Sequence, residues 1–167
     1  WLWFGNLGYD SVYVTILKAR LVIFFVAAIL FAILFLSNMV LAMRLAPRSE
    51  TFMLPPALVS LASQLAKKGV ILATVILSLI FGYVAQGAWE VVLRFSNGQL
   101  FGIADPVFQR DVAFYVFLMP FQSLLRGWLL GALFVILIGT LAVYWLGCGV
   151  RGKKFYNFRP VLAHMAI

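Results

Sequence analysis

The chain has 167 residues, of which 65% are hydrophobic and 11% charged, with a mean hydropathy of +1.06 and a formal net charge of +8. That leaves too little polar surface to cover a soluble domain of this length and places the chain among integral membrane proteins. The basic residues are split among several segments and are not interleaved with a stacking aromatic platform, which excludes a nucleic-acid interface; anionic lipid headgroups, at about 1 kcal/mol per juxtamembrane base, account for them.

The expected fold is all-α: a helical integral membrane protein with three transmembrane helices and short interfacial helices, cut from a larger multi-span bundle. Trp1 opens the chain without an initiating methionine, and no secretory signal is visible, because the first apolar run is too long and lacks a small-residue cleavage pattern. The first span is expected over about 21–43, an uncharged run of the roughly 20 residues needed to cross the hydrocarbon. Ala28 and Ala32 form a small-xxx-small pair in it, a pattern that lets helix backbones approach closely. After it, Pro55 and Pro56 open a short helix over about 56–66, with Leu58, Leu61, Ala62 and Leu65 on one face and Ser60, Ser63 and Gln64 on the other. This helix either lies in the interface or packs beneath the bundle.

The second span is expected over about 69–93, ending in Glu90 and Arg94, whose spacing of four suits an ion pair. Ser96-Asn97-Gly98 then supplies a turn. Asp105 followed by Pro106 has the form of an N-cap with proline at the first helical position, and Phe108, Val112, Tyr115 and Met119 recur at helical spacing. A short interfacial helix over about 106–119 is the expectation, closed or kinked by Pro120. The third span is expected over about 124–148, with Gly127, Gly131 and Gly139 as small residues for helix packing. A further apolar segment begins at about 160–167.

Charge sets the expected orientation. The segment from Arg44 to Lys68 carries four bases against Glu50, the tail over 151–159 carries four bases and no acid, and the segment from Glu90 to Arg126 is neutral. By the positive-inside rule the loop 44–68 and the tail 151–159 are cytoplasmic and the loop 94–125 extracytoplasmic, in a bacterial inner membrane; Lys18 and Arg20 argue weakly the other way. Trp1, Trp3, Trp89 and Trp128 then mark one headgroup boundary and Trp145 the other, since indole rings settle at that depth.

Trp3-Phe4-Gly5-Asn6-Leu7-Gly8-Tyr9, Phe101-Gly102, Asp105-Pro106-Val107-Phe108, Asp111, and Phe114-Tyr115-Val116-Phe117 with Pro120-Phe121 resemble, in order and spacing, the UPF0182 family of uncharacterised prokaryotic membrane proteins. The resemblance runs along nearly the whole chain. It implies that this is the N-terminal, multi-span membrane part of a protein several times longer, with a large extracytoplasmic portion and spans on both sides of the present region. Gln109 departs from the family pattern, which tends to have glycine there. The family brings no established activity and no catalytic residue to carry over.

Few residues of the chain are equipped for chemistry. Cys148, the only cysteine, permits no internal disulfide and reads as a small buried hydrophobe. His164, the only histidine, has no partner ligand and reads as a hydrogen-bonded interfacial residue rather than a metal or pigment ligand. Asp105 is expected to cap a helix, and Asp111 to neutralise Arg110 or bond backbone groups. The polar residues of the spans, Ser37, Asn38, Thr74, Ser78, Gln86 and Thr140, include no ionisable group, whereas transport usually needs intramembrane charge or broken helices. No catalytic residue, metal site or cofactor is therefore assigned.

Two function classes follow. The first is a non-catalytic membrane component, either an anchor and scaffold or an accessory subunit of a larger assembly, energy-transducing assemblies included. Its partners would be lipids, with anionic headgroups on the cytoplasmic side, and other transmembrane helices of the same longer protein or of a complex. Asp105, Pro106, Phe108, Asp111, Phe114, Tyr115, Phe117 and Pro120 would form its outer docking helix. The alternative is part of a transporter or channel whose pathway needs helices outside this region.

Overall fold

The computed structural model describes residues 2–45 and 55–150, although the side chains of residues 56, 59, 62 and 146–150 lie outside the description. Trp1, most of the basic loop, the tail 151–159, His164 and the apolar segment 160–167 fall outside it too, as does the side chain of Cys148. The described chain is all-α apart from a single isolated bridge between Ala104 and Asp111. Helices α1 (Leu2–Asn6), α2 (Asp10–Leu45), α3 (Pro56–Gln86) and α4 (Trp89–Ser96) are followed by a π-helical turn at Phe114–Leu118 and by α5 (Met119–Val150). Three helical stretches, Asp10–Leu45, Ser63–Gln86 and Phe114–Trp145, are long and apolar enough to cross a membrane.

Local chemistry sets the helix limits. The corner between α1 and α2 is a Schellman motif: Tyr9 N–H donates to the Phe4 carbonyl and Gly8 N–H to that of Gly5. It requires a left-handed residue after the helix, and Gly8 supplies φ 71° at no Cβ cost. Helix α2 then starts with Asp10 in its first turn and finishes with Arg44 in its last, both complementing the helix dipole. At 36 residues it is about 54 Å long, well beyond the roughly 30 Å of hydrocarbon. The helix thus begins eleven residues before the span expected from Leu21, and Lys18 and Arg20 lie on its N-terminal extension.

Two further boundaries differ from expectation. Residues 56–66 are not a separate helix, because α3 continues unbroken from Pro56 through Lys67 and Lys68 into the apolar run. These strong helix formers offer no stop signal. The second span in turn closes at Gln86, before the expected residue 93, where Gly87 and Ala88 form a tight turn with N–H bonds to Val84 and Ala85. Trp89–Ser96 is a helix of its own.

The chain divides into two compact units. In the first, Trp1–Ile29 with Leu79–Gly131, Gly82 packs against α2 so closely that an added methyl would stand 2.7 Å from the Phe24 carbonyl oxygen and 3.0 Å from Ala28 Cβ. Helix α5 joins through Trp128, whose indole N–H points at the Phe81 carbonyl 3.5 Å away and whose ring meets that of Phe81 edge-on. In the second, Leu30–Ser78 with Ala132–Ile167, Phe31, Phe35, Met39 and Ala42 of α2 are buried. The Phe31 and Phe35 rings stack, Gly139 lies against Phe35 and Met39, and Ala42 packs with Tyr144. Five polar side chains of the spans bond back onto their own helices: Thr74 donates to Val70, Ser78 to Val75, Thr140 to Ile136, and Ser37 and Asn38 to Leu34. Such back-bonding satisfies a hydroxyl where water is absent.

Candidate functional site

The most elaborated local structure lies between α4 and α5, over residues 97–120. It is not the helix over 106–119 that the sequence suggests. Asp105 does begin as a cap, its Oδ2 accepting the Phe108 N–H at 2.7 Å. One turn follows, with Gln109 N–H donating to the Asp105 carbonyl at 2.9 Å. Gln109 then adopts φ 55°, which no helix tolerates, and the chain folds back so that Asp105 N–H reaches the Arg110 carbonyl at 2.7 Å and Val112 N–H that of Ile103 at 3.0 Å. Helical backbone begins only at Val112. Glycine would take this left-handed conformation without a Cβ penalty.

Asp111 holds this turn to the preceding segment. Its carboxylate accepts three backbone N–H groups: Phe101 at 3.1 Å, Gly102 at 2.8 Å and Ala113 at 2.8 Å. The Ala113 bond is the largest influence on its proton affinity; with the bonds from Phe101 and Gly102 it outweighs desolvation and holds the carboxyl below its ordinary value of 3.8. Of the two roles open to Asp111 in the sequence, the backbone-bonding one is therefore seen. Arg110 takes a different partner, its guanidinium lying over the Phe114 ring at 4.6 Å. Tyr115 completes the brace by donating its hydroxyl to Asp105 Oδ2 at 3.3 Å.

Pro120 neither ends nor separates the helix. A proline inside an α-helix lacks an N–H and clashes with the carbonyl four residues earlier. The preceding turn widens to π geometry, with Met119 N–H bonding the Phe114 carbonyl, and the helix runs on into α5. Three aromatic contacts tie it down: Phe95 stacks on Phe121 at 4.1 Å between centroids, Phe101 on Phe117 at 5.8 Å, and Gly98 sits against the Phe117 ring. The brace leaves apolar side chains outward, with Leu100 81%, Ile103 64% and Val107 75% exposed.

The remaining residues singled out in the sequence are distributed as follows. Gly127 faces open space, Gly131 makes an ordinary contact with Phe81, and Gly139 is tightly packed. Ala28 meets Gly82, while Ala32 is half-buried. Trp3 and Trp145 are exposed, whereas Trp89 lies beneath the Arg20 guanidinium and Trp128 is engaged with Phe81. Glu90 and Arg94 form an exposed ion pair within α4. Gly82 was missed by sequence reasoning, although Ser78 four residues before it completes a small-xxx-small pair that could have marked it. Among the described residues, no three His, Cys, Asp or Glu side chains gather into a group able to hold a metal ion.

The sequence model of the uncharacterised protein family UPF0182 matches residues 1–167. The chain is similar to UPF0182 proteins of Mycolicibacterium paratuberculosis, 34% identical over 157 residues, and Salinispora tropica, 36% identical over 155 residues. A third, from Rhodococcus erythropolis, is 33% identical over 156 residues. Each match covers 90% of this chain and 16% of the relative, so the chain spans about a sixth of the length of these curated relatives. No solved structure matches it.

Proposed function

The chain belongs to the UPF0182 family, and from that premise we propose that it is a non-catalytic membrane component: the anchor and scaffold of a larger assembly, with the braced connector as its docking surface. The observation that carries this reading is the way Asp111 fixes a connector whose apolar residues point outward. Three backbone bonds to one carboxylate hold Leu100, Ile103 and Val107 exposed, and a partner that buried them would gain roughly 1.5–3 kcal/mol from each. Relatives about six times longer supply candidate partners within a single polypeptide, and further transmembrane helices of a complex are the other source. The back-bonded hydroxyls of Thr74, Ser78 and Thr140 favour anchoring over transport, because their donors are already spent inside their helices. The membrane would be the bacterial inner membrane, with the connector on the extracytoplasmic side and lipids around the spans, their anionic headgroups met by the basic segments on the cytoplasmic side.

The test is photo-crosslinking from position 107 in the intact protein in its native membrane. One discrete adduct, to another part of the same polypeptide or to a stoichiometric partner, is expected, and it should vanish when Leu100 and Ile103 are replaced by Asp. Crosslinking to lipid alone would remove the docking role. Selective ion flux through the purified protein in liposomes would replace the scaffold reading with the transport one.

A further inference from the structure

We propose that the groove where α5 emerges from the connector binds the headgroup phosphate of an anionic phospholipid. This groove, about 700 Å³ in volume, is lined by Arg110, Arg126, Gln122 and Ser123 together with Phe108, Tyr115 and Met119. Its lining carries two cations and no carboxylate. Among the described residues neither arginine is ion-paired, since the one salt bridge there joins Glu90 to Arg94. Two acids of the connector stand behind this lining: Asp111 accepts three backbone N–H groups, and Asp105 accepts Phe108 N–H and the hydroxyl of Tyr115, itself a lining residue, so that their charges face the backbone and the phenol and the two guanidinium groups face the groove.

Arg110 is also held ready. Its guanidinium lies over the Phe114 ring, an arrangement that fixes the plane while leaving the N–H edge free for an oxyanion. Two guanidinium groups, an amide and a hydroxyl are the donors a phosphodiester requires. The surroundings select a lipid over a free anion. Beyond Arg126 the same helix continues with Leu129 and Leu130 exposed at its surface, within a stretch apolar enough to span the membrane. A phosphate seated between the arginines would therefore lie at the depth where headgroups sit, with apolar helix surface below it for the acyl chains. This site is separate from the docking residues Leu100, Ile103 and Val107, and it stands whether or not that surface binds a protein.

Native mass spectrometry of the intact, detergent-solubilised protein tests it, with short-chain phosphatidylglycerol and phosphatidylcholine as probes. Phosphatidylglycerol is expected to bind one per chain, about tenfold more tightly than phosphatidylcholine, a difference of the size one charge-assisted bond gives. The double variant Arg110→Gln with Arg126→Gln should bring it down to the phosphatidylcholine level, and Arg94→Gln should change nothing. Equal binding of the two lipids by the unaltered protein would overturn the proposal independently of how any variant folds. So would retention by the double variant, an equal loss in Arg94→Gln, or displacement of bound phosphatidylglycerol by an equal concentration of inorganic phosphate, the last marking a free-anion site.

Discussion

Gln109 and Asp111 carry opposite burdens in the same turn. Gln109 occupies a left-handed backbone at φ 55°, a conformation that costs an L-residue with a side chain roughly 1–2 kcal/mol. Its amide recovers part of this by donating to the Pro106 carbonyl at 3.1 Å. Gln109→Gly is therefore expected to leave stability unchanged or raise it by up to about 0.5 kcal/mol, the relief of strain less the lost bond and glycine's extra entropy, as read from reversible unfolding in mixed micelles. Asp111→Asn keeps the shape of the side chain but removes the charge and one acceptor. Faster hydrogen exchange at the Phe101, Gly102 and Ala113 amides is expected, with the spanning helices unaffected. The pH dependence follows from the same bonds. Since the folded carboxyl titrates below its ordinary 3.8, the stability it contributes is fully present above that value and is lost as pH falls through the lower, folded one. Exchange protection of these three amides, corrected for intrinsic rate, should stay flat from pH 5 to 8 and fall only under more acid conditions.

At the scale of the element, contact between helices depends on which face of each is turned toward the other. Sequence spacing marks Gly127 and Gly131, yet among the described residues no other helix approaches either closely; Gly82 lies within van der Waals reach of the α2 backbone. Gly82→Ala should cost about 1–3 kcal/mol, because the new methyl meets a backbone carbonyl that cannot move aside. Gly127→Ala, facing open space, should be neutral or slightly stabilising in the same unfolding measurement. The π turn at Phe114–Leu118 is likewise a consequence of helix continuity: Pro120 reads locally as a stop, but the stacking of Phe95 on Phe121 and of Phe101 on Phe117 holds the chain helical through it. Where a strong local signal and several tertiary contacts conflict, an extra residue in one turn reconciles them.

For the whole molecule, orientation is the property most open to direct test. Gly98 is a poor place for a cysteine reporter, since a Cβ there would stand 2.9 Å from the Phe117 ring; Val107, at 75% exposure, is a good one. A Val107→Cys protein should be labelled by an impermeant maleimide from outside intact cells, as the charge asymmetry of the loops predicts, and labelling only after lysis would reverse the orientation. Composition and run length by themselves determined that this is an all-α membrane protein with three long apolar helices, and the aromatic and acidic motif of the connector carried the family resemblance. Those properties are local: an apolar run announces its burial in lipid without reference to any other part of the chain. Only the tertiary structure decided that the connector is a braced turn and not a helix, that Asp111 serves the backbone of residues about ten positions earlier, and that Gly82 is the close-packing glycine. The connector's bonds join residues up to about ten apart across an irregular turn, and the Gly82 contact joins two helices far apart in sequence; neither kind of pairing leaves a periodicity that shows which residues will meet.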